Sequence, residues 1–336
     1  MKSNDKNGSS AIGLDVGTSR IVAARLAEQE FQYLEELNAF VNIPYAKITE
    51  TVLKKESVPH VVEGAQIVVH GNESDKFADL LRIEPRRPMD KGFLNPQEPD
   101  SLSRLAQIIQ TLCGKATDDK QRVYFSVPAA PLGEEDCLTY HETTLKQVLN
   151  DLGYKAKAIT EGLAVIYAEL EDTNYTGIGI SCGGGLCNVC LAYLSVPVFS
   201  FSIPKAGDFI DASSAAVTGE RANSIRIAKE ESFRFNGHFA EKTHQVLAVY
   251  YDDMIRALID ELKQQLVAKS RVLPRLRRPV PLVLSGGSVL PGGFRERFES
   301  ILKESEFPIQ LTEVRMAENP LHSTAKGALM AALIDG

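Results

Sequence analysis

Two short glycine turns, each set between β-rich runs and lying about half the chain apart, constrain this sequence more than any other feature. The first is DVGTS at 15–19, where the apolar run AIGLDV (11–16) breaks and RIVAARLAE resumes. The second is the triple glycine at 183–185 inside TGIGISCGGGLCNVCLAYLSVPVFSFSIP (176–204). Each reads as strand, tight turn, strand. A third glycine-rich loop, SGGSVLPGG at 285–293, follows the apolar run PLVL. Glycine lets backbone amides approach phosphate oxygens with no Cβ in the way, and successive amides form an anion-binding nest. Two facing hairpins can grip a triphosphate from both sides.

The segments between these turns have helical and strand periodicities. Apolar spacing near 3.6 predicts helices over 100–113 and 137–152, and another over 161–170. RVYFSV at 122–127 reads as a buried strand. The longest amphipathic pattern, 239–268, predicts one long helix with Val246, Leu247, Val249, Tyr250, Met254, Ile255, Leu258, Ile259, Leu262 and Leu266 on its buried side. STAKGALMAALI near the end predicts a small-residue helix, and the KITETVLKKESVPHVVEG region a small surface subdomain. Strand, helix, strand in alternation makes an α/β chain with sheets covered by helices.

At 336 residues the chain has room for two lobes, and 44% hydrophobic with 24% charged residues suits a folded globular protein. A net charge of −7 argues against a nucleic-acid binder, which needs surplus Lys and Arg. The basic run Arg275, Arg277 and Arg278 reads as a solvated linker. The polar stretch 1–10 reads as a flexible leader, with neither a secretory signal nor an amphipathic helix, and no run of eighteen apolar residues predicts a membrane span.

Five cysteines, an odd number, fit a reducing cytoplasm better than a disulfide framework. Cys182, Cys187 and Cys190 repeat the C-x4-C-x2-C spacing of plant-type ferredoxins, and a cluster would draw its fourth thiolate from Cys113 or Cys137. Three glycines interrupt that spacing, and cysteine is also a common small buried hydrophobe. The expectation is a core strand.

The ordered series GLDVGTS, VYFSVP, ITEGLAVIYA, GIGISCGGG, VLSGGSVLPGG and ENPLHSTAKGALMAAL resembles the actin-like ATPase superfamily from about residue 11 to 334. RRPMDKGF (86–93), KAGDFID (205–211) and GERANSIRIAK (219–229) are most similar to the MreB and MamK branch of bacterial actins. The resemblance implies an actin-like two-lobed ATPase fold, with two RNase H-like sheets and a small inserted subdomain in each lobe. Subdomain IA would take 11–42, 87–157 and 318–336, and IB 43–86. IIA would take 158–206 and 279–317, and IIB 207–278.

It also implies ATP or ADP with Mg2+ in the interlobe cleft. Asp15 would stand near the ion through water, since a carboxylate suits a hard cation. Gly17, Thr18 and Ser19 would bind phosphates from the first loop, and Ser181, Gly183, Gly184 and Gly185 from the second. Glu161, at the head of the first connecting helix, would position the attacking water. Ser285, Gly286, Gly287 and Ser288 would line the adenine and ribose side. Gly207 and Asp208 would open the second lobe's small domain with Asp208 near the ribose or phosphates, and Arg226 would lie beside the base.

Two departures bear on activity. The family's second loop reads roughly Asp-x-Gly-Gly-Gly-Thr, and here Ser181 and Leu186 replace the acid and the Thr. Ser224 and Ala228 stand where the bacterial actins tend to carry acids. Both point to a slow ATPase, or to a nucleotide binder with vestigial hydrolysis. The function implied is a cytoplasmic filament of head-to-tail subunits, with cytoplasmic adaptors as further partners and neither nucleic acid nor direct membrane insertion. The alternative is a non-polymerising nucleotide-binding scaffold or regulator. Sugar kinases and DnaK-type chaperones share these loops but would need, respectively, a catalytic Asp in a sugar cleft and a peptide-binding domain.

Overall fold

The computed structural model describes residues 11–118, 120–131, 135–235, 239, 241–269 and 278–335, the side chains of 135–137 excepted. The expected leader, Arg275, Arg277 and the side chain of Cys137 lie outside the described residues. Arg278 is exposed.

The first glycine turn joins β1 (Ala11–Val16) to β2 (Arg20–Ala27), and β3 (Glu30–Leu37) pairs antiparallel with β2. An insertion follows: β4 (Phe40–Pro44), α1 (Lys47–Lys55), β5 (His60–Glu63), β6 (Gln66–His70) and α2 (Asn72–Leu81) form a three-stranded sheet with two helices. A short hairpin, β7 (Met89–Asp90) and β8 (Phe93–Leu94), returns the chain to the first lobe. There α3 (Ser101–Cys113), β9 (Arg122–Val127), α4 (Glu135–Asp151) and β10 (Lys155–Thr160) complete a sheet of order β10-β9-β1-β2-β3.

The second lobe repeats that plan. After α5 (Glu161–Glu169) come β11 (Gly177–Cys182), β12 (Cys187–Tyr193) and β13 (Val196–Ile203), then α6 (Gly207–Thr218), α7 (Ala222–Glu231) and α8 (Lys242–Ala268). The chain closes with β14 (Val280–Ser285), α9 (Phe294–Glu304), β15 (Leu311–Met316) and α10 (Ser323–Ile334). The second sheet has order β13-β12-β11-β14-β15, with two antiparallel pairs around β12 and parallel pairs through β14, as in the first sheet. This is the expected two-lobed α/β architecture.

Strand alternation divides each sheet between two apolar layers. Ile12 and Leu14 of β1 pack with Leu105 and Ile109 of α3 and Leu145 and Leu149 of α4, while Ala11, Val22 and Ala24 face Ala325, Leu329 and Ala332 of α10. In the second lobe Ile178, Ile180 and Phe201 pack with α8 and α9, while Cys190 and Val283 pack with Val165 and Ile166 of α5. Helices α5 and α10 therefore lie between the two sheets. A Cβ on Gly13 would stand 2.1 Å from the Ala325 carbonyl oxygen, and one on Gly179 2.4 Å from that of Gly162. Each glycine lets one connecting helix lie directly on the strand that leads into a turn.

One sequence expectation changes. Helix α8 buries Leu247, Tyr251, Met254, Ile255, Leu258, Ile259, Leu262 and Leu266, but Val249 is exposed. Val246 and Val249 fall off that stripe, and Tyr251 falls on it. The three clustered cysteines are all fully buried. Cys182 and Cys187 are cross-strand partners facing α8, whereas Cys190, three residues on, faces α5. Their side chains sit on opposite faces of the sheet and pack as apolar groups.

Candidate functional site

Both glycine turns open into one cleft between the lobes. Its walls include Asp15, Gly17, Thr18, Ser19, Glu161, Ser181, Gly183, Gly184, Gly185, Gly207, Asp208, Arg226, Gly286, Gly287 and Ser288. The structure therefore brings together every sequence-derived site residue except Ser285. That side chain is fully buried behind the wall, where its hydroxyl donates to the Pro320 carbonyl at 3.0 Å.

The first turn is closed by the Gly17 amide donating to the Arg20 carbonyl (3.0 Å), and the Asn38 side-chain amide donates to the Gly17 carbonyl (2.9 Å). The second is closed by the Gly183 amide donating to the Leu186 carbonyl (3.0 Å). Among the described residues no backbone acceptor takes the amides of Thr18, Ser19, Gly184 or Gly185. The two tips approach each other closely. A Cβ on Gly184 would lie 2.1 Å from Ser19 Oγ, and one on Gly185 2.4 Å from Thr18 Oγ1. At Gly185 the Gly92 amide nitrogen also lies 2.6 Å from that Cβ position, so only glycine fits there, and free amides on facing tips suit an anion.

Neighbouring elements fix both turns. The Gly92 amide, at the β7–β8 turn, donates to Thr18 Oγ1 (2.9 Å), and the Leu186 side chain packs over Gly92, where a Cβ would meet Leu186 Cδ1 at 2.3 Å. Leu186, in the position of the family's Thr, thus makes an apolar contact to the first lobe. The second turn is tied to the head of α6, with the Asp208 amide donating to the Gly184 carbonyl (2.8 Å) and the Gly207 amide to the Gly183 carbonyl (3.1 Å). Ser288 Oγ also donates to the Gly183 carbonyl, at 2.8 Å. Gly286, at φ +93°, lies against the Cys182 backbone, which a Cβ would meet at 2.3 Å.

Two acids form the floor. Asp15 Oδ1 accepts from Ser126 Oγ of β9 (2.6 Å), and the Val16 amide donates to the same Ser126 Oγ (2.9 Å). Glu161, the first residue of α5, accepts from Ser181 Oγ at 2.9 Å. Burial pushes Asp15 up to about 6. Burial, and then the Asp15 charge, push Glu161 up to about 8. Ser181 thus serves as a donor that holds Glu161 in place. Among the described residues no three His, Cys, Asp or Glu side chains gather as a ligand set. The floor suits an ion carried in by phosphates and met by Asp15 through water, rather than one held by the protein alone.

Ion pairs cross the cleft. Arg226 is buried on α7 and pairs with Asp75 of α2 and with Glu230, while its Nε donates to Asn223 Oδ1 at 3.1 Å. Arg20 meets Glu230 (3.4 Å), Arg87 meets Asp208 (2.6 Å) and Arg221 meets Asp79 (3.9 Å). Behind them Lys229 Nζ donates to Asp211 Oδ2 (2.8 Å) and the Gly207 carbonyl (3.2 Å). Sequence reasoning had Arg226 and Asp208 but missed Arg20, Arg87, Asp211, Lys229 and Glu230. Arg87, Asp211 and Lys229 lie inside stretches already singled out, but nothing local in the sequence marks their pairing.

The chain matches a family model described as Volactin over residues 10–332. No match is found among curated protein sequences. Among solved structures, a MamK double helical filament is similar at 18% identity and TM-score 0.67, covering 96% of this chain and 98% of that one. MreB 5 of Spiroplasma citri bound to AMPPNP is similar at 14% identity and TM-score 0.66, with 94% of each chain covered. The ethanolamine utilization protein EutJ from Carboxydothermus hydrogenoformans is similar at 14% identity and TM-score 0.56, covering 95% of this chain and 89% of that one. At these identities the likeness establishes the fold, which is the actin-like two-lobed ATPase fold.

Proposed function

This chain belongs to the Volactin family, and from the build of its cleft and its likeness to the MamK and MreB 5 structures we propose that it is a nucleotide-dependent, actin-like cytoskeletal protein. It binds ATP between the lobes, assembles head-to-tail into filaments and hydrolyses the nucleotide slowly. The observation that carries this reading is the pair of facing glycine tips with free amides, Thr18 and Ser19 opposite Gly184 and Gly185. Free backbone amides of this kind suit phosphate oxygens. Gly286, Gly287 and Ser288 form the wall that would take the adenosine, and Arg226, paired with Asp75 across the cleft, would lie beside the base.

A divalent ion arriving on the phosphates would supply charge stabilisation for phosphoryl transfer. Asp15 is the residue that would hold its water. Glu161 would position the attacking water, and burial, which favours its neutral form, weakens it as a base. Ser181 brings no charge to the ion. Both features favour slow hydrolysis, so that subunits persist in the assembled state.

Filament assembly draws support from the likeness to the MamK filament structure, and nucleotide binding from the likeness to MreB 5 bound to AMPPNP. A repeated heterologous contact gives an open filament. Among the described residues no helix is long and apolar enough to cross a membrane, in keeping with a filament in the cytoplasm. Ser181 also favours a second reading, a nucleotide-binding scaffold that does not polymerise. Calorimetric titration of the purified protein with ATP and ADP, with and without Mg2+, tests the cleft directly. Saturable binding that strengthens with Mg2+ is expected, and absence of binding to either nucleotide contradicts the proposal.

A further inference from the structure

The roles above leave the cation Arg87 without a task. It precedes the β7–β8 hairpin and is anchored on the first-lobe side of the cleft. Its carbonyl accepts from Asn95 Nδ2 (3.3 Å), and the adjacent Arg86 is held by Glu98 through two bonds of 2.8 and 2.5 Å. Its Nη1 reaches across to Asp208 Oδ1 at 2.6 Å. Asp208 in turn is tied to the second turn through the Gly184 carbonyl. A Cβ on Gly184 would lie 3.5 Å from Asp208 Oδ1 as well as 2.1 Å from Ser19 Oγ. The guanidinium thus stands one carboxylate away from the point where the two tips meet. The Arg87 and Asp208 side chains keep 26% and 30% of their surface exposed, and Asp208 itself lines the cleft. The other acids nearby are engaged, Asp211 by Lys229 and Glu230 by Arg20 and Arg226.

We propose that Arg87 reads the terminal phosphate, exchanging Asp208 for the γ-phosphate when a nucleoside triphosphate enters the cleft. This rests on the reading of the cleft as a nucleotide site and adds its specificity for phosphate number. A planar guanidinium matches two phosphate oxygens at once, and a phosphate carrying more than one charge outcompetes a single carboxylate for it. A diphosphate ends one group short and leaves the Arg87–Asp208 pair standing. The pair joins the lobes at this corner, so the nucleotide's phosphate number is converted into an interlobe bond that is either broken or kept.

The test combines binding with a double-mutant cycle on the full chain. Arg87→Ala should weaken AMPPNP binding about 10- to 100-fold and ADP binding less than about threefold, with Arg87→Lys recovering part of the loss. Melting temperatures of Arg87→Ala, Asp208→Ala and the double variant should be non-additive without nucleotide and with ADP, and additive with AMPPNP. Equal weakening for both nucleotides, or non-additivity that persists with AMPPNP, overturns the proposal while leaving nucleotide binding intact. A wild-type protein that binds neither nucleotide removes both readings together.

Discussion

The two glycine hairpins occupy equivalent places in two sheets of the same order, yet they carry different chemistry. Aligning β1 with β11 sets Gly13 opposite Gly179, Asp15 opposite Ser181 and Gly17 opposite Gly183. The neighbouring parallel strands follow suit. Ser126 of β9, one step beyond the Leu14–Phe125 pair, matches Ser285 of β14, the partner of Ser181. In the first lobe Ser126 supports an acid. In the second lobe Ser285 turns to the Pro320 carbonyl, and Ser181 donates to Glu161, which enters from the chain segment joining the lobes. The frame depends on the glycines, which both halves keep. The acid depends on one position, which is Asp15 in the first half and Ser181 in the second.

The largest effects should come where the halves are alike. Gly13→Ala and Gly179→Ala each force a Cβ into a helix carbonyl, and each should cost roughly 3 kcal/mol or more in denaturant unfolding. Tolerance of one but not the other would break the equivalence of the two strands. Next in size, Glu161→Ala should cut single-turnover phosphate release about 100-fold while leaving ATP binding measurable, because the attacking water loses its acceptor. Unchanged release would remove Glu161 from the chemistry.

Ser181→Asp sharpens the contrast by giving the second hairpin the acid that the first has. It should raise Mg2+-dependent phosphate release about tenfold and weaken the Mg2+-free protein through repulsion with Glu161 and Asp15. No gain in release would mean that the missing acid is not what slows the reaction.

The smallest effect is in pH. Asp15 and Glu161 keep their protons to about 6 and about 8 in the folded chain, against 3.8 and 4.5 as ordinary values. The folded state therefore binds more protons than the unfolded one across that window, and stability falls as pH rises through it. Between about pH 6 and pH 8.5 the nucleotide-free protein should lose roughly 2 °C or more of melting temperature relative to Glu161→Gln. Parallel pH profiles would place the titrating group elsewhere.

The local grammar of the chain carried most of the fold. STAKGALMAALI predicts a helix from its local residue pattern alone, and the helix spans Ser323–Ile334. The glycine turns were legible for the same reason, since their chemistry is backbone geometry that a sequence states outright. Side-chain pairing across the cleft was not legible. Arg87 and Asp208 are 121 residues apart, and Arg226 and Asp75 are 151, with no periodicity linking them. Arg226, expected beside a base, also spans the lobes through Asp75. Leu186 read as the loss of a Thr, and only the three-dimensional structure shows it packed on Gly92.

Sedimentation of the purified protein with ATP and Mg2+, with negative-stain microscopy of the pellet, tests most directly whether this cleft governs assembly. The expected result is filaments with ATP and Mg2+ and a soluble protein without nucleotide. Monomers in every nucleotide state would contradict the cytoskeletal reading and leave the non-polymerising scaffold in its place.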